Sequence, residues 1–276
     1  TTRNSLILLL TATIWGMAFV SQSKGMDYMH PFTFNGVRSL IGAAGILVYI
    51  LISRKIAGDK AAKLDWKLNV RAGLLCGIFL TIASTLQQFG IKYTSVGKAG
   101  FITTLYIIFV PMFGVFLKKK VAPVVWAAAG MAAVGMYLLC MTESLRLGAG
   151  DIMVFLCAIA FAIQIMTVDH YAARIDGAVV SCIQFTVCGV VCCIGALIWG
   201  QPTFGQIQEG LGALLYAGVL SCGVGYTLQI VGQKGLNPTV AALIMSLESV
   251  IATISGWIAY KIGFLSTDQT LTPRQI

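Results

Sequence analysis

Nine apolar runs follow one another along the chain, separated by short polar seams. They extend from Ser5 to Ser23, Phe32 to Ser53, Val70 to Ile91, Val96 to Leu117 and Val121 to Met141, then Ile152 to Val168, Val179 to Trp199, Leu211 to Val231 and Thr239 to Ile262. A helix needs about 20 largely apolar residues to cross the hydrocarbon core of a bilayer. Only helices and closed barrels satisfy their backbone polar groups in lipid, and these runs lack the period-2 alternation of a barrel. The pattern predicts an all-α polytopic membrane protein with nine visible spans. The connections are too short to hold an enzyme domain, so the function is expected within the membrane.

Sliding the second half over the first reveals a weak repeat. At an offset of 146, Trp15-Gly16 falls on Phe161-Ala162 and Arg38 on Gln184; at an offset of 142, Gly90 to Tyr106 falls on Gly232 to Glu248. The four-residue difference lies in the basic loop between the second and third spans. Each repeat is expected to hold five helices, giving repeats over 1–145 and 146–276. An odd number of spans places the two copies in opposite orientations, a common transporter design with the site at the repeat interface. Pro273 suits the first turn of a helix, so the fifth helix of the second repeat, absent from the given chain, is expected beyond Ile276. Ser5 to Ser23 runs straight into a loop and a second span, and reads as a true first helix rather than a cleaved leader.

Composition agrees: hydrophobic residues make up 58% and charged residues 11%, against about 25% charged in soluble domains. The net charge of +9 does not call for nucleic acid, because its placement has another cause. If the N-terminus is cytoplasmic, twelve Lys and Arg lie on the inner side, among them Arg54, Lys60, Lys63 and Lys118 to Lys120, and five lie outside. This is the positive-inside asymmetry, and it predicts a cytoplasmic-membrane protein with its N-terminus inside. All eight cysteines fall within spans, where buried Cys acts as a small hydrophobe. Cys188, Cys192 and Cys193 cluster at helical spacing, but no His lies near them, and neither metal nor cofactor is expected.

Four segments carry a family resemblance. They are Trp15-Gly16, Pro31 to Arg38, Gly100 to Tyr106 running on through Phe109-Val110-Pro111, and Ala241 to Glu248. In order and spacing the chain resembles the drug/metabolite transporter superfamily, specifically the EamA-type exporters with ten helices in two inverted repeats. The likeness covers essentially the whole chain. It departs at Ser249, where the family usually has proline, and at Lys118 to Lys120, which replace a glycine-glutamate ending. The resemblance implies export of amino acids or other small metabolites without naming the cargo.

Polar residues inside a bilayer are costly and mark pathways. Arg38 is either an anchor for a carboxylate or phosphate, which suits its planar fork, or a structural tie to helix-end carbonyls that snorkels to the surface. Gln88, with Gln87, ends the third span, and Gln164, Gln184 and Gln229 sit in later ones. They either grip a polar zwitterion or join helices by hydrogen bonds. Trp15, Tyr106 and Tyr226 are candidate cavity walls, although such rings also form interfacial belts. His30 and His170 lie at loop edges. Glu248 is the only acid well inside a span, and Tyr106 holds the matching place in the first repeat. A carboxyl that gains and loses a proton is what proton-coupled exchange requires; the alternatives are permanent pairing with a cation such as Arg38 and permanent protonation as a hydrogen-bond donor. The candidate substrate-binding set is therefore Trp15, Arg38, Gln88, Tyr106, Gln164, Tyr226 and Glu248.

The sequence contains no P-loop, His-Glu-x-x-His or Ser/His/Asp grouping at one depth, which disfavours ATP-driven pumping and hydrolysis. The alternative is a membrane-embedded enzyme acting on a lipid or lipophilic substrate; a channel lacks any ring of repeated charge or carbonyls. The sequence thus points to a secondary transporter, not an enzyme, exporting a small polar or amphipathic metabolite by alternating access. Its partners are a small-molecule substrate, the lipid bilayer and protons as coupling ion, with no nucleic acid. Fusions test the topology. A fluorescent protein joined after Lys60 is expected to fold and glow, and periplasmic alkaline phosphatase joined after Tyr93 to be active; the reverse result overturns the N-in orientation.

Overall fold

The computed structural model describes residues 2–58, 64–118, 123–140, 148–266 and 269. Lys60, Lys63, Lys119, Lys120, Arg146, Pro273 and Arg274 fall outside these, as does the expected 145/146 boundary. In chain order the long helices are α1 (Thr2–Gly25), α2 (Pro31–Ala57), α3 (Trp66–Ile91), α4 (Val96–Phe116), α5 (Pro123–Cys140), α6 (Ala149–Tyr171), α7 (Gly177–Gly200), α8 (Leu211–Gln233) and α9 (Pro238–Lys261). Among the described residues, eight of them, α1 to α4 and α6 to α9, are long and apolar enough to cross a membrane. The outermost residues of the predicted fifth run, Val121 and Met141, lie outside the described residues. The chain is a polytopic helical membrane protein.

Its polarity runs opposite to that of a water-soluble fold. Leu47, Val48, Leu51 and Ile52 on α2 point outward, as do Val190, Val191 and Ile194 on α7. The interior instead buries Arg38, Gln88, Gln164, Gln184, Gln229 and Glu248. Apolar side chains facing lipid lose nothing, whereas polar groups find partners only within the bundle.

The helix starts explain why the repeat offsets recur in the coordinates. His30 caps α2 through Nδ1, which accepts from Phe32 N at 3.3 Å. Asp176, 146 residues on, caps α7 by accepting from Ala178 N and Val179 N. Ser95 caps α4 and Asn237, 142 residues on, caps α9. Side-chain acceptors at these positions satisfy amides that have no partner inside the helix. Burial, with Lys92 nearby, lowers the pKa of His30; the imidazole is thus kept neutral and able to accept.

Both α4 and α9 break in mid-membrane, at Leu105 and at Ser246-Leu247. The two breaks have the same chemistry. Thr104 Oγ1 donates to Phe101 O at 2.9 Å, and Ser246 Oγ to Leu243 O at 2.8 Å. Leu105 N donates to Ile102 O at 3.2 Å, and Leu247 N to Ile244 O at 3.3 Å. Hydroxyls that bond back to a carbonyl bend helices, and the tighter three-residue bonds close each break without leaving backbone groups open.

Packing repeats as well. Helix α2 lies against α7 and α4 against α9; α3 packs on α6 as α8 packs on α1, α3 on α7 as α8 on α2, and α4 on α6 as α9 on α1. Exchanging the halves leaves this set of neighbours unchanged. Close crossings follow the same rule: a Cβ at Gly90 would crowd Val154 on α6 and stand 2.8 Å from Gly150 O, while one at Gly232 would stand 2.8 Å from Leu8 on α1. Here the missing side chain lets two helix backbones meet. Gly90→Ala is expected to lower stability in detergent by about 1–3 kcal/mol, the usual cost of overpacking. Gly45→Ala, with open space around it, should be neutral or stabilising. Equal melting temperatures for the two variants would contradict the crossing.

Candidate functional site

Seven helices line a narrow central cavity of about 30 Å³. The wall is formed by Trp15, Phe19 and Gln22 from α1, Arg38 from α2, Gln87 from α3 and Thr103 and Tyr106 from α4. From the second half come Phe161 and Gln164 of α6, Ser221, Tyr226 and Gln229 of α8, and Glu248 of α9.

The breaks of α4 and α9 create its centre. Tyr106 and Glu248 are each the first residue after a break, and Tyr106 Oη donates to Glu248 Oε1 at 3.1 Å. The bond joins equivalent points of the two halves. Beside it the Trp15 and Tyr226 rings stand 4.5 Å apart, and Phe185 meets Tyr226 edge-on at 5.0 Å. Trp15 comes this close because Gly225 has no side chain: a Cβ there would stand 2.6 Å from the indole nitrogen. Gly225 ends the π-helical stretch Tyr216–Gly225 of α8, a wide turn of the kind often found at functional sites.

The structure brings Trp15, Arg38, Tyr106, Gln164, Tyr226 and Glu248 to this one cavity. Gln88 sits elsewhere, fully buried, with Nε2 donating to Gln22 O at 3.1 Å. Successive helical residues point about 100° apart, so only one of Gln87 and Gln88 can face inward, and it is Gln87. The 142 offset carried the signal, because it pairs Gln87 with Gln229, which also lines the cavity. Gln22 and Thr103 gave no sign in the sequence.

Among the described residues, several polar atoms at the wall find no hydrogen-bond partner, namely Trp15 Nε1, Gln22 Oε1, Gln164 Nε2 and Gln229 Oε1. Gln229 Nε2 does donate to Gln164 Oε1 at 3.2 Å, and Gln87 Nε2 to Thr103 Oγ1 at 3.2 Å. The charged groups are more telling. Arg38 is 5% exposed and Glu248 3%, yet among the described residues neither forms an ion pair. The pairing of Glu248 with Arg38 allowed by the sequence is not made. A buried charge without a counter-charge is strongly unfavourable, which makes Arg38 and Glu248 candidate ligand-binding groups.

An ion pair elsewhere shows the contrast. Asp151, near the start of α6, accepts from Lys98 Nζ at 2.6 Å, from Thr94 Oγ1 at 2.9 Å and from Gly148 N at 2.8 Å. That carboxylate is fully satisfied by the protein. It ties α6 to the start of α4 at one end of the bundle.

A helical bundle with a polar, charge-bearing cavity at its middle is the architecture of membrane carriers. The chain belongs to the EamA-like transporter family, which matches residues 3–141 and again 148–268. It is similar to an uncharacterized transporter of Archaeoglobus fulgidus, 30% identical over 171 residues, covering 60% of this chain and 48% of that protein. The chain thus matches about half the length of that relative. The uncharacterized transporter YwfM of Bacillus subtilis is 27% identical over 257 residues, covering 91% of this chain and 84% of that one. A crystal structure of 16% identity superposes with a TM-score of 0.74 over 97% of this chain and 91% of the other, a likeness of fold.

The Tyr106–Glu248 contact predicts a measurable coupling. A double-mutant cycle with Tyr106→Phe and Glu248→Leu, followed by unfolding in detergent, should give an interaction energy of about 0.6–1.7 kcal/mol, the range for interhelical bonds in membranes. Additive effects would mean that the two side chains do not interact.

Proposed function

We propose that the protein is a secondary transporter that carries a small amino-acid-like zwitterion out of the cell by alternating access, in two inverted repeats over 1–145 and 146–276. The observation that carries this reading is the pair of unmatched opposite groups, Arg38 and Glu248, in the wall of one mid-membrane cavity. A zwitterion supplies the counter-charge to each. Its carboxylate pairs with the fork of Arg38 in charge-assisted bonds, and its ammonium meets Glu248. Trp15, Tyr226 and Phe161 offer an apolar wall to its side chain, and the open amide ends of Gln164 and Gln229 take remaining polar groups.

The two successive family matches and the interchangeable packing of the halves support the repeat assignment. In such carriers one half rocks against the other around a fixed site, and Tyr106–Glu248 lies where the halves meet. Export follows from competition at Glu248. Low dielectric disfavours a bare carboxylate, so when the ammonium leaves, a proton takes its place. Protons entering on one side therefore drive substrate out on the other. The basic asymmetry of the loops supports an inside N-terminus and a place in the cytoplasmic membrane.

The test is transport in proteoliposomes loaded with an equimolar mixture of the twenty amino acids, read by mass spectrometry. Wild-type efflux is expected to accelerate when the outside is acidified, with the substrate recovered chemically intact. Glu248→Gln cannot exchange a proton and should show efflux that no longer responds to the gradient. An unchanged pH dependence in a folded Glu248→Gln variant would remove the carboxyl from the coupling step. Chemical conversion of a substrate would favour an enzyme.

A further inference from the structure

Arg38 is held in place by a neutral group. Its Nε donates to Asn35 Oδ1 at 2.9 Å, and its guanidinium lies 5.5 Å from the centre of the Phe34 ring. Among the described residues its terminal nitrogens have no hydrogen-bond partner. Asn35 is 1% exposed and is itself fixed. Its Nδ2 donates to Ser84 Oγ at 3.0 Å on α3, with Thr85 Oγ1 and Cys192 Sγ each at 3.5 Å. The orientation of the amide is forced, since Nε–H can only donate and so must face the carbonyl oxygen. Ser84 Oγ in turn lies 3.4 Å from Cys188 Sγ, which also accepts from Ser39 Oγ at 3.4 Å. Three helices, α2, α3 and α7, thus hold one amide rigidly.

We propose that Asn35 is a positioning residue that orients Arg38 towards the cavity while leaving its charge uncompensated, so that the site selects ligands carrying a carboxylate or other anionic group. The inference deepens the transporter reading above and rests on it for the ligand. An aspartate at position 35 would hold the guanidinium in the same place, since Asp and Asn have nearly the same shape. It would also neutralise Arg38 by a buried ion pair, of the kind already seen between Lys98 and Asp151. The amide fixes geometry alone, and the free edge of the fork keeps its two donors for bidentate recognition.

Two readouts separate the parts. In full-length protein labelled with 15N-arginine in detergent, Arg38 should give a slowly exchanging Nε–H signal, assigned by its loss in Arg38→Gln. Asn35→Ala should abolish that slow exchange, and Asn35→Asp should keep it. In proteoliposomes with the twenty-amino-acid mixture, Asn35→Asp is expected to cut transport at least about tenfold despite intact geometry, as a competing charge-assisted bond implies. Asn35→Ser, which folds with a shorter tether, should raise KM more than it lowers kcat. Slow exchange that persists in Asn35→Ala, or wild-type transport by Asn35→Asp, overturns the proposal. Should wild-type protein move none of the mixture while the arginine signals behave as stated, the tether is supported and the amino-acid-like substrate is wrong.

Discussion

Lipid offers no hydrogen bonds, so every polar group of this bundle must be answered from within, and most features of the structure follow from that constraint. Helices α4 and α9 can break at Leu105 and at Ser246-Leu247 only because Thr104 and Ser246 turn their hydroxyls back onto the preceding turn and the next amides close shorter bonds. The hydroxyl-bearing residues Thr104 and Ser246 are buried, whereas Leu247 at the α9 break faces outward. The same demand places glycines where backbones cross. At Gly42 a Cβ would stand 2.9 Å from Gly218 O, and at Gly218 one would stand 2.9 Å from Arg38 O. The α2–α8 crossing brings Arg38 close to the axis of the bundle.

Against that background the charged groups divide into two kinds. Asp151 is surrounded by a cation, a hydroxyl and a backbone amide, and its charge is spent on joining α4 to α6. Among the described residues, Arg38 gives a hydrogen bond to a neutral partner, Asn35, and Glu248 receives one from another, Tyr106. A neutral partner fixes direction and leaves the electrostatic interaction for whatever enters the cavity. Buried ionic pairs contribute little to net stability; buried unpaired groups are unfavourable in the empty protein, and a ligand relieves them.

The halves share helix order and helix neighbours but differ in local backbone and in chemistry. His30 and Asp176 cap matching helices with different acceptors, and Gly90 and Gly232 serve matching crossings. At the cavity the first half supplies the cation and the second the acid: Arg38 corresponds to Gln184, and Glu248 to Tyr106. A symmetric scaffold with an asymmetric lining gives one site two distinct ends, which recognition of a ligand with a fixed orientation requires.

The sequence by itself determined that the chain crosses a membrane, where each helix lies within a few residues, and that two halves repeat at offsets of 146 and 142. These are local or additive properties: run length, capping residues and the cost of polar side chains in lipid. The same logic marked Arg38 and Glu248, because a charge inside an apolar run stands out whatever surrounds it. Which way each side chain points was decided only by tertiary packing. Gln87 and Gln88 are indistinguishable as letters, and a rotation of one residue about the α3 axis sends one to the cavity and the other to Gln22 of α1. Asn35 was legible only as part of a motif. Its role depends on Ser84 and Cys192, which lie 49 and 157 residues away, and partners at such separations are set by how helices pack rather than by any pattern within one helix.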